Sequence, residues 1–530
     1  MTSQSQHTST ALTRRRLLQG TLGGIAGLAA WQGWPRLQVA MAQKGEPAGQ
    51  MTWAVHVGIA PTWFDPAETA GIITPYMFLY AMHDALVKPM PDNKMSPCLA
   101  TKWSESADGL TYDFELRQGV KFHNGDPFTA EDVKFSFERY KGTGATELKN
   151  KVKAIEIVNP YHIRYTLHEP WPDFLTFYAT PATGAGWIVP KNYTEKISND
   201  EFKNKPVGLG PYRFVNYQSG IELVLEANPD YWRKPPYVKR LVFKSVPADT
   251  TRLAMLKNRE ADVTYALYSS LGEEVRRDKN LKLEPVVIPG NEWGVFVDMY
   301  DPKSPWHDKR VRLAANHAIN REAINEAETL GFSRLSGSMI PRGYDYALPL
   351  EPYAYDPKKA KALLKEAGHA NGFDAGEYSC DAVYAGVVEG FVNDFGAIGI
   401  RAKVQPMERA AILAAQKEKK VKNLTRQGSA AHGNAATRIE AFIYSKGAQS
   451  FLKDPEIDQW FEQQATERDR KKREEFLHKI QQKVYDEAYF IPLWELGFLC
   501  ASGPRVAVSG LGAIPLHAYS APYEDVQLKS

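Results

Sequence analysis

A single hydrophobic core stops growing at roughly 250–300 residues, and this chain runs to 530 with strand-like and helix-like patterns alternating along nearly all of it. It must therefore divide into at least two packed units. The composition agrees, because 43% hydrophobic and 24% charged residues belong to a folded globular protein and not to a disordered or fibrous one. Thirty-four prolines and 39 glycines imply many turns, and 26 tyrosines with 12 tryptophans imply an aromatic interior or an aromatic-lined cleft.

Residues 1–42 stand apart from the rest. Arg14, Arg15 and Arg16 precede an apolar, Gly/Ala-rich stretch that closes on Ala40-Met41-Ala42, the layout of a removable export signal with a mature start near Gln43. The arginine pair before Leu17 and Leu18 resembles a twin-arginine signal, with an ordinary secretory signal as the alternative. The apolar part falls short of the roughly 20 residues that span a bilayer. No cysteine stands at the exit to accept a lipid. The head holds four arginines, Arg36 included, and no Asp or Glu, so a formal charge of +3 drops to −1 once it is removed. A nearly neutral chain lacks the clustered basic face of a nucleic-acid binder. Cys98, Cys380 and Cys500 are too few and too scattered for a disulfide framework or a zinc site, and read as buried thiols.

Along the mature chain, 51–55 reads as a strand followed by Pro-punctuated turns, and 73–88 as a helix stopping before Pro89. Tyr112, Phe114 and Leu116 alternate with Thr111, Asp113 and Glu115, the pattern of a half-buried antiparallel strand beyond a turn at Asp108-Gly109. Thr129 caps a helix with Glu131 and Asp132 in its first turn. A second hairpin turns near Asn159-Pro160, which makes 89–204 a compact α+β unit. Segment 239–263 has a strand, helix, strand order that implies parallel pairing in a mixed sheet. A second large unit begins near 286, with long helices expected over 308–329 and 454–488. The apolar run at 488–500 then returns to the first sheet.

The sequence holds no HExxH pair, no phosphate-loop motif and no G-x-S-x-G elbow, and its histidines never fall at i and i+4. In PVGLGPYRF, Pro211 and Tyr212 stand where a phosphate-binding helix would start, so its glycines are structural. Several longer stretches are more specific: WSESADGLTYDFELRQGVKFHNGDPFTAEDVKFSFERY, KPVGLGPYRFVNY with EANPDYW, and DKRVRLAANHAINREAI with YDPKKAKALLKEAG. In this order they resemble the signature regions of extracellular solute-binding protein family 5, the dipeptide, oligopeptide and nickel-binding group of ABC importers. The resemblance covers nearly all of 50–500. It implies an α/β, bilobal periplasmic-binding-protein-like fold with mixed sheets, an extra α+β subdomain in lobe 1 and an interlobe cleft. Its boundaries would be a start of lobe 1 at 43–88, the subdomain at 89–204, the lobe 1 core at 205–285, lobe 2 at 286–490 and a return to lobe 1 at 491–530. It further implies a periplasmic, monomeric, non-catalytic receptor with no cofactor or metal. The receptor would pass a short peptide or another small molecule to membrane permeases and their ATPases. Non-peptide organic solutes, a metal complex or a periplasmic enzyme stay open as alternatives.

The resemblance places ligand contacts at the lobe interface. Trp63 and Phe64 after the first strand, Tyr80, Trp293 near an expected hinge, and Trp494 and Glu495 on the returning segment are the candidates there. Packing inside a turn or core is the alternative for the aromatic residues, and holding an arginine, since an unpaired buried carboxylate is costly, is the alternative for Glu495. Peptide-binding members often carry an acidic residue in a tryptophan- and aspartate-rich segment of lobe 2, which pairs with the peptide amino terminus. Here that region reads NLTRQGSAAHGNAATRIEAFIYS, with Arg426, His432, Asn434 and Arg438 in its place. A buried arginine fixes a carboxylate through two parallel hydrogen bonds, so the departure predicts a solute with an anionic or hydroxyl-rich end.

Overall fold

The computed structural model describes residues 46–69, 73–429 and 433–529. The expected export signal and His432 lie outside them. One sheet of eleven strands organises the molecule. From edge to edge it runs Ile400–Met407, Phe373–Asp381, Leu424–Ser429, Lys282–Phe296, Phe490–Ser502, Val263–Leu267, Ala48–Val55, Val238–Ser245, Glu222–Ala227 and Tyr212–Gln218, with Arg334–Leu335 paired on Phe490–Ser502. As the β-α-β pattern requires, Ala48–Val55 lies parallel to both Val238–Ser245 and Val263–Leu267.

Two long strands cross from one half to the other. Lys282–Phe296 and Phe490–Ser502 have 15 and 13 residues and pair antiparallel. Residues 282–287 pair with 497–502 on the lobe 1 side, and 291–295 with 490–495 on the lobe 2 side. The register shifts between Val287 and Asn291. Pro289, which has no N–H to donate, and Gly290 occupy that break. A pleated ribbon interrupted there has a natural place to bend.

Among the described residues the three largest hydrophobic cores lie around this ribbon, beside a smaller one that holds Leu253, Leu256, Val275 and Leu499. In lobe 1, Trp53, Phe78, Phe243, Tyr265 and Tyr523 pack together. In lobe 2, Trp293, Trp306, Phe391, Phe395 and Phe442 do so. The third core fills a subdomain whose four antiparallel strands run Ala100–Glu105, Thr111–Leu116, His162–Leu167 and Val152–Asn159, and Phe114, Phe137, Tyr165 and Tyr178 sit inside it. The expected alternation holds, since Tyr112, Phe114 and Leu116 are buried. The Asp132 carboxylate accepts from the Thr129 N–H at 2.9 Å and so caps the helix Ala130–Arg139.

Three helices differ from the reading of the sequence. The helix expected over 73–88 is Thr74–Met82 only, because His83 is extended and Val87–Met90 becomes a strand. Asp84, next to that break, is fully buried and accepts from Lys88 at 2.5 Å, Tyr231 Oη at 3.0 Å, Trp232 Nε1 at 2.6 Å and Cys98 Sγ at 3.3 Å. Tyr231 and Trp232 therefore anchor the turn after Asp230 to the interior. The 308–329 helix divides at Ile319–Asn320, where Asn320 caps a new helix by accepting from Ala323 N. The 454–488 helix divides at 467–469, where Asp469 accepts from Lys471 and Lys472. All three cysteines are free and buried. The glycines of PVGLG pack on the end of the first helix: a Cβ at Gly208 or Gly210 would stand 2.0 Å from the Met82 carbonyl oxygen or 2.5 Å from its carbon.

Candidate functional site

Two adjoining cavities of about 330 and 640 Å³ lie over the break in the crossing strands. Both are lined by His56 from lobe 1, Glu292, Leu496 and Phe498 from the crossing strands, and Val383 and Tyr384 from lobe 2. Together they form one cleft floored by the crossing strands at that break, within the size range of roughly 300–1,000 Å³ for small-molecule sites.

The smaller cavity adds Asp249, Arg252, Tyr268, Glu328 and Trp494. Arg252 is buried and spends four N–H groups on the carbonyls of Tyr265, Val246, Pro247 and Ala266 at 2.5–2.9 Å. Burial, and next the Arg252 charge, push the His56 pKa down to about 4, so this imidazole is neutral at pH 7. The larger cavity adds Arg409, Gln416, Arg426, Gln427, Ser429 and Tyr519. Arg409 is largely exposed and stands 3.3 Å from Asp381.

At the junction, Arg426 forms a buried ion pair with Glu292 Oε1, and its guanidinium lies 3.5 Å from the centre of the Tyr384 ring. Burial raises the Glu292 pKa against the downward pull of Arg426. Strand periodicity explains the placement, since successive side chains point to opposite faces. Trp293 turns away from the cleft, packs edge-on against Phe442 at 5.0 Å, and donates from Nε1 to Gln427 at 3.3 Å. Glu292, one residue earlier, faces the cavities, as does its cross-strand partner Trp494.

Of the residues singled out in the sequence, Arg426 and Trp494 line the cleft. Phe64 and Tyr80 do not; they are buried in the lobe 1 core, where the Tyr80 hydroxyl donates to the Pro89 carbonyl at 2.8 Å. Trp63 is half-buried and stacks on Phe78 at 6.0 Å. Arg438 is buried against Trp293, Tyr344 and Phe442 and donates to the Ser429 carbonyl at 3.0 Å. Asn434 caps the helix Ala435–Phe442. Glu495 faces Arg334 at 3.5 Å and accepts from the Arg342 N–H at 3.3 Å, so it serves as a partner for arginine. With Arg426 neutralised by Glu292 and Arg438 in the core, neither arginine presents a free charge to an anionic solute. His56, Asp249, Tyr268, Glu292, Glu328 and Tyr384 were missed because remote segments bring them together. Only Glu292, beside the expected hinge tryptophan, carried a sequence signal.

Away from the cleft, the subdomain grips lobe 2 along a second seam. Asp173 Oδ2 meets Arg473, whose side chain is 2% exposed, and Asp173 Oδ1 accepts from Asn434 Nδ2. Arg468 donates to the Ala107 carbonyl at 2.6 Å, and Lys94 reaches the Gly343 carbonyl. None of these residues lines either cavity.

Residues 94–450 match the model of the bacterial extracellular solute-binding proteins, family 5. The chain belongs to that family. Among family 5 relatives, it is 30% identical over 391 residues to the di/tripeptide-binding protein 2 of Pseudomonas aeruginosa, spanning 67% of this chain and 72% of that protein. It is 28% identical over 456 residues to the glutathione-binding protein GsiB of Salmonella typhi, spanning 83% and 87%. The DppA periplasmic binding protein of Helicobacter pylori, solved with the peptide STSA, superposes with a TM-score of 0.70 at 25% identity over 92% of this chain and 99% of that one. CtaP of Listeria monocytogenes, an ABC transporter substrate-binding protein, gives 0.80 at 21% identity over 92% and 100%. The bilobal family 5 architecture is thus established. No helix among the described residues is long and apolar enough to cross a membrane, and no cluster of metal-ligating residues occurs among them.

Proposed function

We propose that this protein is the periplasmic receptor of an ABC importer and that it captures a short peptide or peptide-like solute. The observation that carries the reading is the cleft over the broken register of the crossing strands. It is walled by both lobes and floored by the two long strands that cross between them, and their broken register supports bending there. Relatives whose names specify di/tripeptides and glutathione support the solute class.

In the proposed cycle, the open form takes solute against one lobe, and bending at 288–290 brings the other lobe over it. Excluding water then strengthens each polar contact, because charges interact more strongly in a low-dielectric site. The closed surface is what permease subunits read, and their ATPases supply the energy. The chain acts as a monomer and breaks no bond in its solute.

The test is titration calorimetry of protein unfolded and refolded to strip it of any solute, against di- and tripeptides, with the peptide recovered afterwards by mass spectrometry. Saturable binding of one peptide per chain, recovered intact, supports the proposal. Hydrolysed peptide would make the protein an enzyme, and binding of a non-peptide solute alone would keep the receptor and replace its cargo.

A further inference from the structure

The ionisable groups of the smaller cavity do not balance. Asp249, Glu292 and Glu328 line it against one guanidinium, Arg252, and a neutral imidazole, His56. The donors of Arg252 are directed at backbone carbonyls, so it offers little to a carboxylate in the cavity. Arg426, in the adjoining cavity, is engaged with Glu292 Oε1. On the acidic side, Asp249 accepts from the Thr250 N–H at the start of its own helix. The other two carboxylates have unused capacity. Glu292 is 3% exposed and its Oε2 has no hydrogen-bond partner among the described residues, and the buried Trp494 indole N–H on the same cavity wall has none either. Glu328 is half-buried beside it, with no ion pair or hydrogen bond among the described residues. Burial, followed by the charges of Glu292 and Glu389, raises its pKa.

Carboxylates withdrawn from water without a counter-charge are costly. Glu328 is such a group, and Glu292 beside it is paired with Arg426 through Oε1 but keeps Oε2 open, so a cation entering with the solute offsets the Glu328 cost. The remaining walls suit the stem of such a group: Leu267, Val387 and Leu499 are apolar, and the Tyr268 side chain is 63% exposed.

We propose that the solute carries a cationic nitrogen, an ammonium or guanidinium, and that this group seats at the Tyr268 end of the cleft between Glu328 and the free Oε2 of Glu292. The inference rests on the reading of this cleft as the solute site. It reverses the anionic end suggested by the lobe 2 sequence. It also moves the acidic anchor away from the 424–438 segment to a crossing strand and to the helix Arg321–Thr329.

The three sources of such a nitrogen are a peptide amino terminus, a basic side chain and a non-peptide amine, and one panel separates them. Refolded protein is titrated with tripeptides bearing a free amino terminus, with their N-acetyl forms with and without lysine, and with agmatine and choline, in wild type and in Glu328→Gln. Melting temperature serves as the folding control. The expected result is that binding requires a cation and that Glu328→Gln weakens the best cationic binder at least about tenfold while it melts like wild type. Loss of binding on acetylation, restored by lysine, places a side chain at the site; loss without restoration places the amino terminus there. Binding by the amines and not by peptides keeps the cation and removes peptides as cargo. Equal binding of free and acetylated lysine-free peptides, unchanged affinity in Glu328→Gln, or no binding by any cationic member overturns the inference. The first two of those results leave the peptide-receptor reading standing.

Discussion

Removing the Asp173 carboxylate should weaken solute binding without touching the solute site. Asp173 belongs to the subdomain of lobe 1, while Arg473 and Asn434 belong to lobe 2, so their contacts exist only when the lobes are together. Within its own lobe, Arg473 keeps one partner, Gln464 Oε1 at 3.0 Å, and its flank against Tyr346. A hydrogen bond to a charged group contributes about 1.5–3 kcal/mol. Loss of that amount from the closed form alone lowers the closed population, and apparent affinity falls in proportion, by roughly ten- to hundred-fold. The assay is calorimetry of Asp173→Ala with the best-binding tripeptide, alongside the radius of gyration of the solute-free protein by small-angle scattering. Affinity should fall for every ligand by the same factor, leaving the rank order intact, and the solute-free protein should expand. Asp173→Ala combined with Arg473→Met should recover part of the loss, because an orphaned buried cation is worse than a missing pair. Unchanged affinity in Asp173→Ala, or a change in rank order, would refute the reasoning.

Further outcomes follow from the interior. Asp84→Ala strips Lys88, Tyr231 and Trp232 of their shared acceptor and should cost about 3–5 kcal/mol by thermal or urea unfolding. Gly210→Ala forces a Cβ to within 2.5 Å of the Met82 backbone and should cost about 1–3 kcal/mol in the same measurement. Burial lowers the pKa of His56 and His83 to about 4 and of His123 to about 3, so the unfolded chain binds protons first as pH falls. Stability should therefore decline from about pH 6.5 toward 4, by up to about 1.4 kcal/mol per pH unit for each histidine, and melts in a pH series should flatten in His83→Gln.

The architecture was legible wherever local pattern and tertiary fate agree. Alternation at 111–116, the capped helix after Thr129 and the returning strand at 490–502 all appear as read, because each signal is set by neighbours within one or two turns. Helix continuity was not legible at 319–320 or 467–469, where a single Asn or Asp competes for the backbone and starts a new helix. The site was only half legible. Aromatic residues drew attention to Phe64, Tyr80 and Trp293, yet large aromatics are the usual contents of cores, and these three fill them. In a strand, shifting by one residue exchanges core for cleft. The crossing strand was therefore picked out while Trp293 was chosen over Glu292. Glu328, Asp249 and Tyr268 carry no local signature, because only the bending of two lobes around the crossing strands sets them in one cavity.

The central claim, that this chain encloses a single solute and releases it unchanged, is tested most directly by native mass spectrometry of the protein exported by its own host. The bound fraction would then be denatured and the released molecule identified. The account predicts one small molecule per chain, of a mass fitting a short peptide or peptide-like compound and bearing a cationic nitrogen. A heterogeneous set of bound species, or a stoichiometric solute that the purified protein converts to a product, would contradict it.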